Sequence, residues 1–181
     1  MNKQQEIKPS DFFKCWKEVC IENDKMLMET YDDYKEWTNS ILGKDNCIIV
    51  QVAKKFEQEI YCEYYSLDAV MHGSDDFVTQ NPNENEPRKD YFLKRISVAF
   101  EHENDYKTAY KEISHLLTTM AELKVLVTYI DKEKADELAD KLAAMTKGVD
   151  NSEILVIIGF KNTKIEWKGY IIENDGKKAI V

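Results

Sequence analysis

Glu101 and Glu103 close an otherwise apolar run, RISVAFEHEN at residues 95–104. Side chains alternate along an extended strand, so Ser97, Ala99, Glu101 and Glu103 share one face while Ile96, Val98, Phe100 and His102 share the other. Two carboxylates therefore point the same way. Earlier in the chain, YCEYYSLDAVM at residues 61–71 reads as another strand, and it carries Glu63 and Asp68 where a core strand is normally apolar. If the two strands pair, three or four acids meet at one spot, which is electrostatically costly without a cation. All-oxygen ligands suit a hard divalent ion, so Mg²⁺ or Mn²⁺ is the expected cofactor. Such an ion can neutralise developing negative charge and lower the pKa of a bound water.

The flanking elements must position these acids. Ser10 or Asp11 caps an expected long helix whose apolar positions, Phe13, Trp16, Cys20, Leu27, Tyr31, Tyr34 and Ile41, recur at helical spacing. A second helix is expected from Cys47 to about Gln58, then a strand from Ile60 to about His72. Residues 73–90, rich in Gly, Asn, Pro and Asp, read as a loop or widened hairpin between the two acidic strands. Beyond Glu103, Asn104 to Tyr106 opens a helix with an apolar stripe at Tyr106, Ala109, Tyr110, Ile113, Leu116, Leu117 and Met120. A strand at 124–130, a helix after Asp131 and strands at 154–160 and 166–172 follow, the last expected at the sheet edge. The expected fold class is α/β, a mixed central sheet flanked by helices in the order ααββαβαββ. At 181 residues and 43% hydrophobic, with three prolines and six glycines, the chain suits one domain, with a helical part at about 10–58 and a mixed core at about 60–181.

This order and these acids resemble the core of the PD-(D/E)XK nuclease superfamily, the restriction-endonuclease-like fold, across roughly residues 60–130. The resemblance places Asp68 at the first acid, Glu101 at the second and Glu103 where most members carry lysine, a glutamate variant known in some restriction enzymes. It implies a Mg²⁺-dependent endonuclease acting on DNA in restriction, repair or defence. Asp68 and Glu101 would hold the metal, with Glu103 as a further ligand or as the group that orients or deprotonates water. Some members place another acid on the first helix, where Glu18 and Glu22 are the candidates. Lys111, Lys124 or His102 would have to supply any missing cationic help.

Simpler roles compete at each position. Glu63 sits on the face opposite Asp68 in a regular strand unless a bulge intervenes. His102 should face away from both glutamates, as a packed core histidine. Glu112 and His115 lie one helical turn apart and either line the site or belong to a solvated face. Tyr61, Tyr64 and Tyr65 offer rings for stacking on bases, but core packing is the simpler reading. The net charge of −9 argues against a generally basic nucleic-acid coat, although a local positive patch can still hold phosphates. The only basic cluster near the acids is Arg88, Lys89, Lys94 and Arg95. The alternative function is therefore a non-catalytic interaction or nucleic-acid-binding module on the same fold, with a protein partner or homodimer through the first helix. A doubly wound small-molecule enzyme is disfavoured, because no glycine-rich turn follows an early strand. Cys15, Cys20, Cys47 and Cys62 lack zinc-site spacing and are expected as reduced thiols. No apolar run is long enough to span a membrane and the N-terminus lacks a signal-peptide core, so the expected location is the cytoplasm.

Overall fold

The computed structural model describes residues 6–43, 45–80, 90–149, 153–173 and 175–179. Among them a seven-stranded mixed sheet runs in the order β1-β2-β5-β6-β7-β8-β9. Its strands are β1 (Glu59–Tyr64), β2 (Leu67–His72), β5 (Val98–Glu103), β6 (Leu123–Tyr129), β7 (Ile154–Lys161), β8 (Ile165–Glu173) and β9 (Gly176–Ala179). The three central strands β5, β6 and β7 are parallel, and antiparallel pairs flank them on both sides. A separate ribbon of β3 (Phe77–Gln80) and β4 (Asp90–Leu93) is inserted between β2 and β5.

The sheet is covered on both faces. Helices α1 (Pro9–Glu22), α2 (Asp24–Thr30), α3 (Tyr34–Leu42) and α4 (Ile48–Lys55) bury Phe12, Trp16, Leu27, Ile41 and Ile49 against Phe100, Val125, Val127 and Ile157. Helices α5 (Ala109–Thr118) and α6 (Ala135–Thr146) bury Ile113, Leu116, Leu138 and Leu142 against Val70, Ala99, Leu126 and Val156. The central parallel strands are thus buried on both faces and read as nearly continuous apolar runs. The mixed α/β fold with flanking helices is the expected one. No helix among the described residues is long and apolar enough to cross a membrane.

Three expectations are corrected. The first helix does not run unbroken from 10 to 41. Pro9 occupies its first turn, it ends at Glu22, and Asn23 turns its side-chain amide onto the Val19 carbonyl at 2.8 Å, competing with helix continuation. A further break precedes α3, where the Asp33 carboxylate accepts the amides of Lys35 and Glu36 at 3.0 Å. The expected strand from 60 to 72 is a hairpin that reverses at Tyr65-Ser66, with Tyr64 opposite Leu67. Tyr65 there has φ 55°, which tyrosine adopts rarely, so the usual glycine or asparagine turn signal is missing. Strand β8 is not at the edge, because β9 pairs beyond it.

One position on β7 shows how closely the face under α1–α4 is packed. A Cβ added to Gly159 would come within 2.7 Å of both the Trp167 and Tyr129 rings. Gly159→Ala is expected to destabilise the protein by about 1–3 kcal/mol through overpacking. Urea unfolding checks this, and an unchanged midpoint would show that both rings can retreat.

Candidate functional site

The site lies where the β2–β5 pairing ends. Regular pairing covers Met71 with Val98, Val70 with Ala99 and Ala69 with Phe100. Past that point side chains take over from the backbone. The Asp68 amide donates to Glu101 Oε2 at 3.2 Å, and the His102 amide donates to Asp68 Oδ2 at 2.8 Å. Each acid therefore satisfies an amide of the opposing strand, which fixes both carboxyl groups and offsets part of the cost of desolvating them. Glu101 is buried, at 1% exposure, on the face covered by α5 and α6.

Helix α5 brings two more groups onto this point. Because residues three apart share a helix face, Glu112 and His115 arrive together. The His115 Nδ1 lies 3.2 Å from Glu101 Oε1 and 3.1 Å from Glu112 Oε2. One donor atom from each of Glu101, Glu112 and His115 fits within a 4.8 Å span, and Glu101 Oε1 and His115 Nδ1 face each other directly. Two carboxylates and an imidazole form a mixed oxygen and nitrogen donor set, of the kind that holds first-row divalent metals.

The electrostatics match this crowding. Burial pushes the Glu101 carboxyl up to about 9, and the neighbouring Asp68 charge adds to the effect. Asp68 is also raised, chiefly by burial and against the pull of the His102 amide. Glu112 is raised by burial, and His115 opposes that shift. The acids are held close together in a poorly solvated place, where a proton or a metal must share the site.

The expected site residues divide clearly. Asp68 and Glu101 interlock as neighbours. Glu103 lies within electrostatic range of Asp68 and Glu112, but its Oε1 accepts the Asp105 amide at 2.8 Å and closes the turn towards α5. Glu112 and His115, treated only as supporting candidates in the sequence, are the groups that reach Glu101. Their spacing is the signal for this, but spacing alone cannot tell a helix face turned to the sheet from one turned to water.

Glu63 is exposed, at φ 56°, on β1 across the hairpin from Asp68. Glu18 and Glu22 do not join, since α1 packs on the other face of the sheet and Glu22 pairs with Lys55 at 2.7 Å. Lys111 is exposed on α5. Lys124 lies two positions back from the acids, opposite Ala99, in the wall of a cleft of about 700 Å³ with Lys94, Arg95 and Glu122. Arg95 is bound to Glu122 at 2.7 Å, and Arg88 and Lys89 fall outside the described residues. His102 is a core histidine as expected: burial depresses it to about 3, and its Nε2 meets the Tyr129 hydroxyl at 2.8 Å.

No protein-family model matches the chain, and no curated protein or solved structure matches it significantly.

Proposed function

We propose that the protein is a divalent-metal-dependent phosphodiester hydrolase of the nuclease type, acting on DNA. The observation that carries this reading is the convergence of the buried Glu101 carboxylate with Glu112 and His115, beside the fixed carboxylate of Asp68. Glu101, Glu112 and His115 are the proposed ligands. The imidazole shifts the preference from Mg²⁺ towards Mn²⁺, because nitrogen donors suit later and softer ions. The ion would supply charge neutralisation at the phosphoryl centre and an activated water. The Asp68 amide holds Glu101 Oε2, and the Asp68 carboxylate is itself fixed by the His102 amide. To Glu103, one oxygen of which closes the turn towards α5, we assign the role of orienting or deprotonating the water. The resemblance to the PD-(D/E)XK arrangement, with acids on two adjoining strands followed by a helix, supports Asp68 and Glu101 as site residues, whereas Glu112 and His115 rest on the geometry alone.

A second reading has its own support. The reciprocal bonds between Asp68, Glu101 and the opposing amides account for both acids without an ion. On that reading the protein is a non-catalytic interaction module. Calorimetric titration of Mn²⁺ and Mg²⁺ into wild type, Glu101→Ala and His115→Ala separates the two, followed by incubation of the same samples with plasmid and single-stranded DNA. The hydrolase reading expects Mn²⁺ to bind wild type, each substitution to weaken binding by at least about tenfold, and cleavage to disappear with it. Wild type that takes up neither metal would leave the interaction module.

A further inference from the structure

The hairpin that delivers Asp68 carries three tyrosines, of which Tyr64 touches the other two. Tyr64 meets Tyr65 edge to face at a centroid distance of 4.8 Å, and Tyr61 at 5.6 Å. The Tyr64 hydroxyl accepts the Leu93 amide at 3.1 Å, which ties the cluster to the β3–β4 ribbon. Tyr65 is 83% exposed and Tyr61 38%. The reading of these rings as core packing therefore fails for Tyr65.

The backbone is unusual on both sides of Tyr64. Glu63 has φ 56° and Tyr65 has φ 55°. Tyr61 pairs with Val70, a residue of the face covered by α5 and α6, and simple alternation would send Tyr64 to the other face. The left-handed turn at Glu63 brings Tyr64 back, so that it packs with Leu93 on the face of Val70 and Ala99. That is also the face of Glu101. A left-handed position at a turn favours glycine or asparagine. A tyrosine there gains almost no burial, so strain is maintained to present a ring, a pattern associated with function. The chain from Tyr65 to Asp68 spans at most about 10 Å.

We propose that Tyr65, braced by Tyr64, is a stacking platform for an unpaired base of single-stranded nucleic acid, positioned beside the acids of the hydrolytic site. The proposal rests on the hydrolase reading and specifies its substrate. Aromatic rings bind bases only when these are unstacked, and they do so with little sequence preference. Duplex DNA, with its bases stacked inside, cannot use the platform.

The test is fluorescence anisotropy of a fluorescein-labelled oligothymidylate, and of a duplex of equal length, with EDTA present to block cleavage. Wild type should prefer the single strand. Tyr65→Ala and Tyr65→Gly should weaken its binding by roughly tenfold, and Tyr65→Phe should retain it. Tyr65→Gly relieves the backbone strain, so its melting temperature should equal or exceed that of wild type and exclude misfolding as the cause. Equal affinity in wild type and Tyr65→Gly overturns the proposal, as does equal affinity for duplex. Failure to bind either probe, with self-association that Tyr65→Ala abolishes, also overturns it and reassigns the rings to a protein contact. The Mn²⁺ titration separates the two readings: Tyr65-dependent binding without Mn²⁺ uptake keeps the platform and ends the hydrolase, and the reverse result does the opposite.

Discussion

Glu101→Gln is expected to make the metal-free protein more stable at alkaline pH and to abolish its response to Mn²⁺. Burial raises the Glu101 carboxyl from the ordinary 4.5 to about 9, so the native state holds a proton that the unfolded chain releases. A group raised on folding contributes its stability in full below its unfolded value and loses it as pH climbs through the folded one. Stability of the metal-free wild type should therefore decline between about 4.5 and about 9. Asp68, also raised, adds a slope of the same sign. One pKa unit corresponds to about 1.4 kcal/mol, so the decline amounts to several kcal/mol, with the proton shared between the two acids. Glutamine keeps an oxygen for the Asp68 amide and carries no charge, which flattens most of the slope. Mn²⁺ requires the deprotonated carboxylate, so in wild type its stabilising effect should grow over the same window. Thermal melts across pH, with and without Mn²⁺, read both effects. A Gln variant that melts below wild type at alkaline pH, or that keeps the Mn²⁺ shift, would count against the site.

Trp16→Ala is expected to cost about 3–5 kcal/mol, a large part of the 5–15 kcal/mol that holds a typical domain together. The ring is fully buried on α1, 5.8 Å from Phe100 and edge to face with Trp167 at 5.4 Å. Phe100 is the strand neighbour of Glu101 and pairs with Ala69, next to Asp68. A cavity at Trp16 therefore loosens the two strand segments that hold the acids, and Mn²⁺ affinity should fall with stability. Trp16→Phe is the informative companion. The indole Nε1 is buried without a hydrogen-bond partner, so phenylalanine removes an unsatisfied donor while filling much of the space. It should recover more than half of the loss in urea unfolding. Equal losses in both variants would mean that the volume of the indole, and not the stack of rings, is what α1 contributes.

The fold was largely legible before any coordinates. Apolar runs at 95–104, 124–130 and 154–160 mark the strands to within a few residues, and helical spacing marks α5 and α6, because burial on both faces leaves little room for polar residues. The hairpin at Tyr65 was not legible, since its turn uses a residue whose side chain disfavours the conformation. The breaks at Asn23 and Asp33 were missed for a related reason. There, side-chain hydrogen bonds to local backbone compete with the helix, and apolar spacing continues through them unchanged.

The candidate site was half legible. Asp68 and Glu101 stand out because acids are unusual in apolar strands, and alternation alone assigns Glu101 a face and sends His102 to the other. Local pattern carries that information, because the two-residue period of a strand is a property of the backbone. Which acids meet is a different kind of question. Glu103 shares the face of Glu101 yet is drawn into the turn before α5, and Glu18 and Glu22 lie behind the sheet. Glu112 and His115 reach Glu101 because the β5–α5–β6 crossover lays one face of α5 over the end of the β2–β5 pair. The sequence by itself determined the elements, their apolar faces and the presence of misplaced charge. Only the tertiary structure decided which charges converge, because convergence depends on strand order and helix rotation, which are set by packing between segments distant in the chain.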